Sequence, residues 1–180
     1  VLPGVLEATL TSETKVVESE NVAGILEGSD PKLKDEVVVL SAHLDHIGVG
    51  PADAKGDTIN NGALDNAAGV ATTLEVARAF QESGKRPRRS ILFLTVTGEE
   101  KGLLGAQYFA RNPTVPLSSI AANVDLDMPI LLFDFTDVVA FGADRSGVGP
   151  AVRRAAERMN IALSPDTIPE EGIFTRSDHF

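Results

Sequence analysis

Three segments of this 180-residue chain place groups that bind cations or move protons directly after apolar runs. His43 and Asp45 follow Val37-Val38-Val39-Leu40, Glu99 and Glu100 follow Ile91-Leu92-Phe93-Leu94, and Asp125 and Asp127 close a run that begins at Ile120. Residues two apart project to the same side of an extended backbone, so Asp45 is placed to accept the proton of the His43 nitrogen that faces away from a metal. Adjacent carboxylates such as Glu99 and Glu100 repel one another unless a cation or a proton intervenes. The pair offers a division of labour: one carboxylate binds a metal and the other takes a proton from water. Asp65 lies in Asn61-Gly62-Ala63-Leu64-Asp65-Asn66, where its two oxygens could bridge two cations about 3.5–4 Å apart. Asp127 competes with Asp125 for a ligand role, and His179, in Ser177-Asp178-His179-Phe180, comes from far along the chain. Taken singly, each has a plainer reading: a strand-end histidine, a solvated acidic turn, a helix N-cap at Asp65 or Asn66. All three histidines, His43, His46 and His179, nevertheless fall inside acid-containing clusters.

Elements that could gather these groups are legible in the patterning. The stretch from Lys15 to Glu27, with Val16-Val17 and Val22 to Leu26, reads as one strand or a pair interrupted near Asn21. Val37 to Leu40 and Ser90 to Val96 read as strands buried on both faces. Pro51, Gly56, Asn60 and Asn61 make residues 48–62 a loop. A helix follows from Ala67 to about Glu82, with Val70, Leu74, Ala77 and Phe80 at helical spacing and Ser83-Gly84 as its stop. Leu103 to Arg111 reads as a helix, Ile120 to Leu126 and Val138 to Phe141 as strands, and Val148 to Met159 as a last helix. Alternating strands and helices predict an α/β architecture with helices on both faces of a sheet, whose chemistry gathers at the carboxyl ends of the strands.

Composition narrows the classes of partner. Sixteen basic against twenty-six acidic residues give a formal charge of −10, which repels a nucleic-acid backbone. Two Zn²⁺ ions would bring the total to about −6. Without cysteine, disulfides and thiolate ligands are excluded, so any zinc is bound by nitrogen and oxygen. No apolar run approaches the roughly 20 residues of a membrane span, and Val1-Leu2-Pro3-Gly4 has no basic segment followed by an apolar one. The length suits one domain, residues 1–180.

Taken together, Ser41-Ala42-His43-Leu44-Asp45-His46-Ile47-Gly48, Asn61-Gly62-Ala63-Leu64-Asp65-Asn66, Thr97-Gly98-Glu99-Glu100-Lys101-Gly102-Leu103-Leu104-Gly105, Leu126-Asp127-Met128 and Ser177-Asp178-His179 resemble the di-zinc aminopeptidase family that includes bacterial leucyl aminopeptidase. The order and spacing agree from about Asn21 to Phe180. This resemblance implies a three-layer zinc-exopeptidase fold with a central mixed, mostly parallel sheet. It also implies one zinc on His43 and Asp127, a second on Glu100 and His179, and Asp65 bridging both. Glu99 would be the general base, Asp45 the orienter of His43, and the Asp65–Asn66 peptide bond cis. Family members continue past the Ser-Asp-His motif, so the resemblance reads residues 1–180 as a catalytic domain incomplete at its C-terminus. The implied activity is removal of N-terminal residues from peptides with a free N-terminus, by metal-activated water, in a secreted or periplasmic setting. Carboxypeptidases and glutaminyl cyclases share the scaffold and are the alternative, with a non-catalytic binding domain on the same fold as the other.

Overall fold

A computed structural model describes residues 4–180, so the N-terminal reading at Val1 to Pro3 lies outside it. The first strand, β1 (Val22–Leu26), covers only the second half of the segment read as strand; Val16 and Val17 are exposed and lie outside any strand. The second is β2 (Val37–His43). The stretch expected as loop contains a two-residue ladder, β3 (Gly48–Val49) against β4 (Ile59–Asn60), closed by Gly50 N–H donating to the Thr58 carbonyl. Helix α1 (Ala68–Ser83) ends at Gly84, whose φ of 62° is the left-handed conformation that stops a helix. Then come β5 (Ser90–Val96), α2 (Leu104–Arg111) and β6 (Ile120–Asp125). A separate two-stranded parallel ladder joins β7 (Asp137–Val139) to β8 (Ala162–Ser164) around α3 (Val148–Arg158).

The main sheet has the order β1-β5-β2-β6, with β1 antiparallel to β5 and the other neighbours parallel. From β2 the chain crosses through α1 to β5 on one side, then through α2 back past β2 to β6 on the other. Crossovers of one hand that run in opposite directions place their helices on opposite faces. Thus α2 seats Phe109 on Val37, Val39, Leu92, Leu94 and Val96, the buried core, while α1 packs against β2 and β5 from the other side. The expected mixed sheet with helices on both faces is therefore present.

Burial is not equal on the two faces. Along β5, Ser90, Leu92, Leu94 and Val96 are buried and Ile91, Phe93 and Thr95 only half-buried, and Val38 and Leu40 of β2 follow suit. The apolar runs thus alternate rather than being sealed on both sides, and α1, whose Leu74 points to solvent, covers its face less completely than α2 covers the other. The reversal of crossover direction beside β2 opens a crevice at the carboxyl ends of β2, β5 and β6, where ligands gather in sheets of this kind.

Candidate metal centre

His43 is the last residue of β2 and only 1% exposed. Its Nδ1 lies 2.9 Å from the Asp45 backbone carbonyl, and a carbonyl only accepts, so Nδ1 carries a proton and Nε2 is the nitrogen turned outward. Nε2 faces two carboxylates, Asp65 Oδ1 at 3.1 Å and Asp127 Oδ1 at 3.2 Å. Ligands on a tetrahedral ion with bonds of about 2.0–2.1 Å sit about 3.3 Å apart, so this triad has the spacing of a coordination set. Burial alone would lower the His43 pKa. The hydrogen bond and charge of Asp127, the Asp45 carbonyl and the charge of Glu99 outweigh it and raise the value to about 9. Burial likewise opposes the ionisation of Asp127, but His43 and Ser177 hold its pKa below the usual range.

Asp65 reaches the site through an unusual turn: the Asp65–Asn66 peptide bond is cis, as the resemblance implied. Asn66, 2% exposed, then pins the start of α1 to the chain beyond β6. Its amide donates to the Leu126 carbonyl at 2.9 Å, and its oxygen accepts from Gly69 N–H at 3.0 Å and Met128 N–H at 3.2 Å. The approach is so close that a Cβ on Gly69 would overlap the Leu126 carbonyl and the Asn66 side chain. Asp65 and Asp127, 62 positions apart, are thereby held face to face.

A second triad shares Asp65. His46 Nδ1 is 2.7 Å from Glu100 Oε1 and 3.7 Å from Asp65 Oδ2. Both His46 Nδ1 and Glu100 Oε1 are buried, yet neither has a hydrogen-bond partner, even though they adjoin each other. Buried nitrogen and oxygen atoms left without a hydrogen-bond partner are what a cation would satisfy, and this donor set fits zinc. Asp65 sends Oδ1 to one triad and Oδ2 to the other, the disposition of a bridging carboxylate.

Glu99 and Glu100 leave β5 through Gly98, whose φ of 68° turns the chain sharply. Leu103 and Gly102 N–H groups close the turn on the Glu99 carbonyl, and Gly105 N–H donates to Thr97 O, seating α2 behind it. Asn21 latches this corner, accepting from Thr97 N–H at 3.1 Å and donating to Gly105 O at 2.8 Å. The Glu99 pKa is raised, first by burial and then by the charges of Asp127, Glu100 and Asp45, with His43 opposing. Asp45 meets His43 through its backbone carbonyl and not, as expected from an extended backbone, through its carboxylate. β2 ends at His43, so the carboxylate swings 3.9 Å away from Nδ1 and accepts Glu99 N–H at 3.1 Å instead.

Of the five ligands expected from the sequence, the structure brings together His43, Asp65, Glu100 and Asp127. Among the described residues His179 joins neither triad, and the imidazole beside Glu100 is that of His46. His179 lies instead near Asp125 and Asp127, with its Nε2 buried and unpaired and its ring 5.1 Å from that of Phe174. Asp125 stands behind the site: burial raises its pKa although Ser41 Oγ donates to one of its oxygens at 2.6 Å and Ser177 Oγ lies 2.8 Å from the other. Asp178 is buried without partners and is pushed up to about 7 by burial and by Asp125 and Glu99. The sequence signal for His46 was its position three residues after His43, in an acidic segment.

The sequence pattern of a family described as Peptidase family M28 matches residues 21–180. A probable zinc metalloprotease of Pyrenophora teres f. teres is 38% identical over 112 residues, 62% of this chain and 23% of its own length. A probable glutamate carboxypeptidase of Arabidopsis thaliana is 33% identical over 129 residues, 68% of this chain and 17% of its own. The chain thus spans about a quarter or less of these relatives. Among solved structures, an aminopeptidase from Aneurinibacillus sp. strain AM-1 superposes with a TM-score of 0.65 at 23% identity, over 88% of this chain and 35% of that one. A Bacteroides thetaiotaomicron glutaminyl cyclase gives 0.61 at 23% identity, over 86% and 59%. The secreted or periplasmic setting implied by the resemblance is overturned, because the relatives include a vacuolar membrane protease of Tuber melanosporum, 30% identical over 116 residues, 62% of this chain and 11% of its own. Among the described residues no helix is long and apolar enough to cross a membrane.

Proposed function

The chain belongs to peptidase family M28, and from that premise we propose that it forms a two-zinc centre that removes N-terminal residues from peptides. The observation that carries this reading is the division of Asp65, with one oxygen toward His43 and Asp127 and the other toward His46 and Glu100. His43, Asp65 and Asp127 would hold one ion; Asp65 and Glu100, with an imidazole from His46, the other. The chemistry such ions supply when bound is Lewis acidity toward a water and toward a peptide carbonyl.

The rest falls to side chains. Glu99 is a carboxylate beside the site that neither triad uses, and burial increases its affinity for a proton. It takes a proton from the attacking water and returns it to the leaving amine. Asp45 fixes the backbone of Glu99 through its carboxylate and the tautomer of His43 through its carbonyl. A free N-terminal ammonium suits the carboxylates that the two triads leave over, Asp45 and Glu99, and the ion pairs of the described residues bring no Lys or Arg to them. A substrate's C-terminal carboxylate would meet repulsion there. The carboxypeptidase reading draws support from the Arabidopsis relative. Peptides with blocked and with free N-termini separate the two.

The test is Glu99→Ala. Turnover of an aminoacyl substrate should fall by about 10²–10⁴-fold while bound zinc, measured by metal analysis, stays at the wild-type ratio. Full turnover in the variant would remove Glu99 from the role of base.

A further inference from the structure

A carboxylate ligand has two oxygens and a soft terminal torsion, so directing one of them at a cation requires holding the other. Asp127 directs Oδ1 at His43 Nε2, 3.2 Å away. Its Oδ2 accepts from the hydroxyl of Ser177 at 2.7 Å, a residue 50 positions later and only 6% exposed. The same hydroxyl is 2.8 Å from Asp125 Oδ2, whose other oxygen accepts from Ser41 Oγ at 2.6 Å. Ser41 is 2% exposed in β2, directly across the ladder from Asp125. Asp125 is therefore fixed to the sheet, and Ser177 is a wedge of fixed width between that immobile carboxylate and the ligand.

Resting on the metal reading of His43, Asp65 and Asp127, we propose that Ser177 is a positioning residue for Asp127, and that the C-terminal segment shapes the metal centre through this one hydroxyl. Seating of the segment is specific. Two short helical turns, Pro169–Glu171 and Ile173–Thr175, bring Phe174 under the Arg145 guanidinium, 4.3 Å from the ring centroid, and against His179 and Phe180. Gly142, with φ of 79°, leaves the space that the Phe174 ring fills, which a Cβ would occupy. Ser177, three residues past this anchor, reaches the carboxylates. Removing its hydroxyl would leave the inner oxygens of Asp125 and Asp127 facing each other without a donor, and repulsion would turn Asp127 away from His43.

The experiment measures zinc affinity of the full chain by competition with a chromophoric chelator, alongside the melting temperature of the metal-free protein. Ser177→Ala should weaken the zinc assigned to His43, Asp65 and Asp127 by about 10–100-fold, the usual cost of removing a partner that orients a ligand, with the metal-free melting temperature little changed. Ser177→Thr keeps the hydroxyl and should restore affinity to within a few-fold. In an Asp127→Asn background, Ser177→Ala should add nothing, because the group it positions is gone. Wild-type affinity in Ser177→Ala, or the same loss in both backgrounds, overturns the positioning role alone. A wild-type chain with no affinity for zinc overturns the metal reading and this role with it.

Discussion

Replacing Gly69 by alanine tests whether the near-contact of α1 with the chain beyond β6 sets the metal centre. An added Cβ would stand 2.8 Å from Asn66 Cγ and closer still to the Asn66 oxygen and the Leu126 carbonyl. Ordinary carbon–carbon contact is about 3.5–4.0 Å, so helix and chain must part by roughly 1 Å. Neither neighbour yields cheaply, since one is backbone and the other is held by three hydrogen bonds. Overpacking of this kind costs about 1–3 kcal/mol, and the gain from exchanging glycine for alanine in a helix, about 1 kcal/mol, offsets part of it. Net destabilisation should therefore be about 0–2 kcal/mol, read from denaturant unfolding of the metal-free chain. The larger effect falls on the ligands, because Asp65 rides on one side of the contact and Asp127 on the other. A displacement of that size should lower zinc affinity by about 10–100-fold in a chelator competition. Gly24→Ala in β1, where a Cβ meets nothing within 4 Å, serves as the control. If Gly69→Ala binds zinc as tightly as the wild type, the contact does not set the spacing of the two aspartates.

The raised pKa of His43, about 9 against an ordinary 6.5, makes zinc binding a proton displacement. Zinc affinity should climb about tenfold per pH unit from pH 6.5 toward 9 and then level. Over the same window the metal-free fold loses what protonated His43 contributes, since a pKa raised on folding stabilises fully below its unfolded value and not above its folded one. Melts with and without zinc at pH 6.5, 8 and 9 should therefore diverge as pH rises; a constant gap would contradict the proton-bound state of the metal-free site. His46→Ala should cut bound zinc from two equivalents to one while His179→Ala keeps both. The opposite pattern in metal analysis would return the C-terminal imidazole to the second ion.

Where the sequence was readable, the physics was local. Runs such as Val37 to Leu40 and Ile91 to Leu94 have few ways to hide except as sheet interior, and polar groups that follow them must emerge at the strand ends. Hence His43, Glu99, Glu100 and the competing pair Asp125 and Asp127 are legible as strand-end groups from the sequence alone. Spacing could not separate Asp125 from Asp127, because residues two apart share a side. What separates them is that β6 ends at Asp125, whose register partner is Ser41, so Asp125 is spent on the sheet while Asp127, beyond the ladder, is free to turn to His43. The same limit explains Asp45, which the alternation rule aimed at His43 although the strand had already ended. The short ladder β3–β4 and strand β8 bury too little apolar area to mark the sequence, whereas Val138 and Val139 of β7 do mark it, and the choice between His46 and His179 depends on how two distant turns meet at Glu100. Chemistry at strand ends is thus written residue by residue, whereas the aim of each ligand is written in its supports, Asn66, Gly69 and Ser177, whose importance emerges only once distant parts of the chain touch.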